Sequence, residues 1–147
     1  MSHVVPAPSP REIWTQAHRY VRTYDLAGFA RMFAVNGVME LPFAPPGMPG
    51  RLEGRDAIHR ALAPAGEAAK RAGRRIIDYS NVVVHETTDP DVIIVEFDLN
   101  GISEPTGRTY TFSYIQVMHA RNGEITLLRD YIDPRVFGAG ASPEPAD

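Results

Sequence analysis

The chain reads as an α+β protein, and three observations predict that class. Residues from Ser9 to Leu62 carry apolar side chains mostly at helical spacing, interrupted by one short strand signal. From Arg75 onward, long runs of strand character alternate with tight turns. Helices followed by a four-strand meander place the helices on one face of a mostly antiparallel sheet. The third observation is size: 147 residues, 44% hydrophobic and 22% charged, suit one soluble domain with a single core.

Ser9-Pro10-Arg11-Glu12 is a capping box with proline at the first helical position. Ile13, Trp14, Ala17, Tyr20, Val21 and Tyr24 then continue a first helix to about Tyr24. Asp25 can cap a second, short helix whose apolar face is Leu26, Phe29, Met32 and Phe33. Val38 to Phe43 reads as a strand, closed by the turn-rich stretch Ala44 to Gly50. Gly54 to Leu62 reads as a third helix that Pro64 breaks or kinks. Four strands follow, over 76–86, 92–102, 108–120 and 124–133, with Asn122-Gly123 as a hairpin signal between the last two. The single domain spans residues 9–137, with flexible ends at 1–8 and 138–147.

Charge and composition narrow the function. A formal charge of −3 without a dense basic stripe argues against nucleic acid. No apolar run approaches bilayer length, so no membrane partner is expected. Zero cysteines remove disulfides and thiolate chemistry and fit a cytoplasmic protein. His59, His85 and His119 stand in different elements without ligand spacing, so no metal is expected. The chain also lacks a phosphate-cradling glycine loop or a nucleophile elbow, and no cofactor is expected.

One carboxylate stands out. In Ile125-Thr-Leu-Leu-Arg-Asp-Tyr-Ile132, Asp130 shares a strand face with Leu128 and Ile132. Burial there raises its pKa towards neutrality, which suits a general acid or base. The alternative is an edge strand that leaves Asp130 in water. In the long strand, Phe112, Tyr114, Gln116 and Met118 share a face; Tyr114 and Gln116 have polar ends suited to substrate contacts. Trp14 and His18, one helical turn apart, can roof a pocket, with Tyr20 on the same helix.

The loop Glu40-Leu-Pro-Phe-Ala-Pro-Pro-Gly47, the helix start Gly54-Arg-Asp-Ala-Ile58 and the order of elements resemble the NTF2-like, or SnoaL-like, superfamily. The stretch from Glu86-Thr-Thr-Asp-Pro90 to Val95-Glu-Phe-Asp-Leu-Asn-Gly101 is similar to that of the phenazine biosynthesis A/B proteins, as is Leu128-Arg-Asp-Tyr-Ile-Asp-Pro134. The resemblance covers about Arg11 to Phe137. It implies a cystatin-like conical barrel, in which a strongly curved sheet and three helices enclose a deep pocket. It also implies acid/base chemistry on small, mostly apolar molecules, and a homodimer.

The resemblance discriminates among activities. Leu41 stands where steroid isomerases carry their catalytic aspartate. Asp98 and Asp130 match the two aspartates of limonene-epoxide hydrolases, but Glu96, Met39 and Leu41 stand where those enzymes carry Arg, Tyr and Asn. The phenazine proteins carry a Glu at the position of Asp130 and a helix-three histidine where Ala61 stands here. Strand alternation alone turns Glu96 and Asp98 to water; the resembled cone puts their side on the concave wall. The expectation adopted is that Asp98 and Glu96 join Asp130 in the pocket, while Val95, Phe97 and Leu99 form a convex stripe against a second subunit. Met39, Leu41, Phe43, Phe112, Ile132 and Phe137 would supply the apolar wall. The function expected is a cyclase, isomerase or condensing enzyme of polyketide- or phenazine-like specialised metabolism. An epoxide hydrolase or epoxide-opening cyclase using Asp98 and Asp130 is one alternative. A non-catalytic ligand-binding or assembly module is the other.

Overall fold

The computed structural model describes residues 5–136; Phe137 and the C-terminal tail lie outside the described residues. The capping box forms as the sequence predicts. Ser9 Oγ accepts from the Glu12 amide at 3.2 Å, and Glu12 Oε1 accepts from the Ser9 amide at 3.2 Å, which starts α1 (Pro10–Arg22). Its buried face, Ile13, Trp14, Ala17 and His18, lies on the sheet. Asp25 caps α2 (Leu26–Arg31) through the Gly28 amide. A Cβ on Gly28 would stand 2.4 Å from the Tyr20 ring, so the α1–α2 corner closes only with glycine there.

Strand β1 (Phe33–Glu40) starts five residues earlier than the expected Val38, because Phe33 already pairs with Ile125. A short strand β2 (Arg51–Glu53) follows the Pro-rich loop and pairs with β1, a pairing its charged, three-residue sequence does not announce. Helix α3 (Arg55–Arg71) runs through Pro64 instead of stopping near it. The hydrogen bond that proline removes belongs to the Arg60 carbonyl; both residues face solvent, so water can replace it. Gly66 holds α3 against the corner before α2, where a Cβ would lie 2.4 Å from the Tyr24 carbonyl oxygen.

Strands β3 (Arg74–Glu86), β4 (Val92–Ser103), β5 (Arg108–Arg121) and β6 (Glu124–Ile132) form the expected meander. The β5–β6 turn has Asn122 at φ 53° and Gly123 at φ 81°, the geometry its Asn-Gly pair specifies. The sheet is six-stranded and mixed, in order β2-β1-β6-β5-β4-β3, with β1 parallel to β6, and it does not close on itself.

Alternation in β4 sets which face is inside. Val95, Phe97 and Leu99 are 0%, 3% and 7% exposed within the core under the helices, so the stripe expected to meet a second subunit is interior. Glu96, Asp98 and Asn100 therefore point outward. Strand β3 does not keep a strict period of two. The ladder shifts between Ile76 and Asp78 and again between Ser80 and Val83, where Asn81 is left-handed at φ 53°. The first bulge turns Tyr79 inward, opposite Leu99.

Candidate functional site

Between the helices and the inner sheet face lies a cavity of about 200 Å³. Its wall is largely apolar: Val21, Leu26, Phe29, Met39, Leu62, Ile76, Phe97, Leu99, Phe112, Ile132 and Val136. Set into it are His18, Tyr24, Arg74, Tyr79, Tyr110, Tyr114, Gln116 and Asp130. Pockets of this kind bind small molecules through an apolar surface and a few placed polar groups.

Asp130 is 6% exposed on β6, directly opposite Gln116 of β5. Burial pushes its carboxyl up from 3.8 to about 7, while the Gln116 side chain draws it back. Its Oδ1 has no hydrogen-bond partner among the described residues. A buried carboxyl on the wall of a cavity, with its pKa near neutrality, is a candidate general acid or base.

A chain of hydrogen bonds holds Gln116. Trp14 Nε1 donates to Gln116 Oε1 at 2.9 Å, and His18 Nε2 lies 2.9 Å from the same oxygen. An indole nitrogen only donates, so that atom is the amide oxygen and His18 must carry its proton on Nε2. His18 Nδ1 then accepts from the Tyr79 hydroxyl at 2.7 Å. Burial lowers the His18 pKa to about 4, against the raising effect of the Gln116 bond, so the ring is neutral at pH 7. Both oxygen lone-pair directions of Gln116 are thus occupied, and its NH₂ is the part left to face Asp130.

Aromatic rings line the wall beside this network. Phe97 stacks on Tyr114 with centroids 5.0 Å apart and on Tyr79 at 5.0 Å. Burial holds the Tyr114 hydroxyl well above its ordinary pKa, and the Asp130 charge adds to that. Tyr114 therefore keeps its proton and can donate a hydrogen bond near the carboxyl. A base with its pKa near neutrality and a fixed O–H donor are what proton abstraction beside a carbonyl requires.

The SnoaL-like domain family matches residues 14–128. The chain belongs to the SnoaL-like family. An uncharacterised PhzA/B-like protein of Pseudomonas aeruginosa is 34% identical over 126 residues, covering 84% of each chain. A Bacillus subtilis protein, provisionally described as an isomerase, has a solved structure that superimposes with a TM-score of 0.72 at 28% identity. That match covers 92% of this chain and 98% of the other. A Xanthomonas campestris protein, provisionally described as a polyketide cyclase, shares the fold at a TM-score of 0.65 and 18% identity, over 90% and 96% of the two chains.

In this SnoaL-like chain, His18, Met39, Phe112, Tyr114, Gln116, Ile132 and Asp130 come together on the cavity wall. Trp14 is buried behind Gln116 and acts on the cavity through it. Tyr20 packs on Gly28, and Leu41 packs against the core without reaching the cavity. Phe43 is 55% exposed against Tyr131, in a hollow on the outer face.

Asp98 and Glu96 are corrections. Asp98 Oδ2 accepts from Asn81 at 2.7 Å and Oδ1 from Ser113 at 2.7 Å, bonds that lower its pKa, Asn81 most. Glu96 pairs with His85 at 2.6 Å on the same outer surface. Both lie across the sheet from Asp130, because the apolar residues between them fill the core. The Asp98/Asp130 pair that epoxide hydrolysis would use does not form.

Sequence reasoning missed Tyr79, Tyr24, Tyr110 and Arg74. Tyr79 was hidden by the bulge at Ile77. Among the described residues, no group of three His, Cys, Asp or Glu side chains converges as a metal site, and no helix is long and apolar enough to cross a membrane.

Proposed function

We propose that this SnoaL-like protein is an acid/base enzyme of the cyclase or isomerase class, acting on a small, largely apolar carbonyl compound of specialised metabolism. The observation that carries the reading is Asp130: a buried carboxyl on the cavity wall, near neutrality in pKa, with one oxygen unpartnered. Ionised Asp130 takes a proton from the carbon next to the carbonyl, and the C–H electron pair becomes the enolate. The Tyr114 hydroxyl donates to the enolate oxygen. Where a carbon–carbon double bond flanks that carbon, the enolate is a dienolate, and Asp130 returns the proton to its far end, which shifts the double bond into conjugation with the carbonyl and completes an isomerisation. In a cyclisation, the enolate carbon attacks a second carbonyl of the same molecule, and the new alkoxide takes the proton. No electrons are gained or lost overall. Gln116, fixed by Trp14 and His18, positions the carboxyl and stabilises its charged form.

The test uses 1-tetralone, an apolar ketone with exchangeable protons beside its carbonyl, in D₂O near neutrality. The wild-type protein accelerates deuterium uptake at that carbon, measured by NMR, and Asp130→Asn lowers the acceleration by about 10²–10⁴-fold. Wild-type protein that binds the ketone yet leaves exchange at the buffer rate would mark a binding module instead. We further propose a homodimer formed through the outer sheet face, where Ile77, Val82, Val83 and Ile115 are 44–48% exposed.

A further inference from the structure

Asp130 stands at the buried end of the cavity, and the opposite end carries a charge that the fold does not use. Arg74 and Arg75 open β3, and alternation separates them. Arg75 turns outward and its Nε donates to Glu104 at 2.9 Å. Arg74 turns inward, half-buried, and lines the cavity. Its guanidinium has no carboxylate or other hydrogen-bonding partner among the described residues.

Two hydroxyls are built in beside it. Tyr24 follows α1 in a left-handed conformation, φ 56°, which turns its ring into the cavity lining. Tyr110 lies flat over Gly101, its partner across the β4–β5 ladder, where a Cβ would stand 2.4 Å from the ring. The two hydroxyl oxygens are 3.5 Å apart, and the Arg74 charge acts on Tyr24. In such a pair one hydroxyl donates to the other and the second keeps its proton for an outside acceptor. This end of the cavity therefore presents a fork of N–H donors and an O–H donor, with no carboxylate beside them among the described residues that line it. A planar guanidinium fork matches a carboxylate bidentately.

We propose that Arg74, with Tyr24 and Tyr110, binds a carboxylate on the substrate. The substrate class is then an elongated apolar acid whose reacting carbon lies at the Asp130 end. The inference rests on the acid/base reading of Asp130 only for which end reacts. Tyr110 and Gln116 are six residues apart on β5, or about 20 Å of strand, from which the side chains reaching inward subtract. Apolar cavities of roughly 150 Å³ accept benzene, so one or two rings fill the space between.

The experiment is isothermal titration calorimetry at pH 6 with 2-naphthoate and its neutral isostere 2-naphthamide. Wild type prefers the acid by about tenfold, the scale of a charge-assisted hydrogen bond discounted for partial exposure. Arg74→Gln loses that preference while its affinity for the amide is kept, which also shows that the variant is folded. Asp130→Asn keeps the preference. Equal affinities for the two probes in wild type, or a preference that survives Arg74→Gln, would overturn the proposal and leave the reading of Asp130 untouched. Failure of wild type to bind either probe would instead defeat the apolar-cavity reading itself, and this proposal with it.

Discussion

Replacing Asp130 with Asn should change the pH dependence of stability in a way that two opposing titrations make distinctive. Asp130 has its folded pKa raised from 3.8 to about 7, so between those values the folded state holds a proton that the unfolded state has lost. Stability therefore falls as pH rises through that window, by a total of about 4 kcal/mol at about 1.36 kcal/mol per pKa unit. His18 acts with the opposite sign. Its folded pKa drops from 6.5 to about 4, so between those values the unfolded state holds the extra proton and stability rises with pH. That contribution is about 3 kcal/mol. In wild type the two slopes largely cancel from pH 4 to 6.5. In Asp130→Asn only the His18 slope remains, so the variant should gain stability relative to wild type as pH climbs, levelling off above about 7. Urea unfolding of both proteins at half-unit steps from pH 4 to 8 reads this directly. The difference between the curves is decisive, because an offset from packing the amide is independent of pH. A difference that stays flat across pH 4–7 would refute the reasoning.

The outer-face carboxylates supply a control: Asp98→Asn and Glu96→Gln should each leave ketone exchange within about twofold of wild type, because neither reaches the cavity. Gln116→Glu should raise the pH midpoint of the exchange activity, since a second carboxyl opposite Asp130 disfavours its charged form; an unchanged profile would remove Gln116 from the account. Gly66→Ala should destabilise the fold by about 1–3 kcal/mol in urea unfolding, because the new methyl meets the Tyr24 carbonyl at 2.4 Å. A Val82→Glu/Ile115→Glu double variant should be monomeric by light scattering at a concentration where wild type is dimeric.

The burial of Asp130 was legible because Leu128 and Ile132 flank it on one strand face. The face bearing Tyr114 and Gln116 was legible for the same reason. Alternation in β4 also gave the right answer by itself: Val95, Phe97 and Leu99 are the inner face, and Glu96 and Asp98 the outer. The expectation taken from the resembled cone reversed that face, and the structure restores it. What alternation could not supply was β3, where a residue inserted at Ile77 changes which side chains point inward. The hydrogen-bonded chain from Tyr79 through His18 to Gln116 and Trp14 joins residues 61 to 102 positions apart, a distance that no local pattern spans. The run of α3 past Pro64 depended on whether the freed carbonyl met solvent, which tertiary packing decides.

The most direct test is a carbon-13 NMR titration of the Asp130 carboxyl in the folded, unliganded protein. The account predicts a midpoint near 7, set by burial and held there by Gln116, with Asp98 in the same spectra titrating below the usual carboxylate range as an internal reference. An Asp130 midpoint near 4, like that of a carboxyl in water, would contradict it.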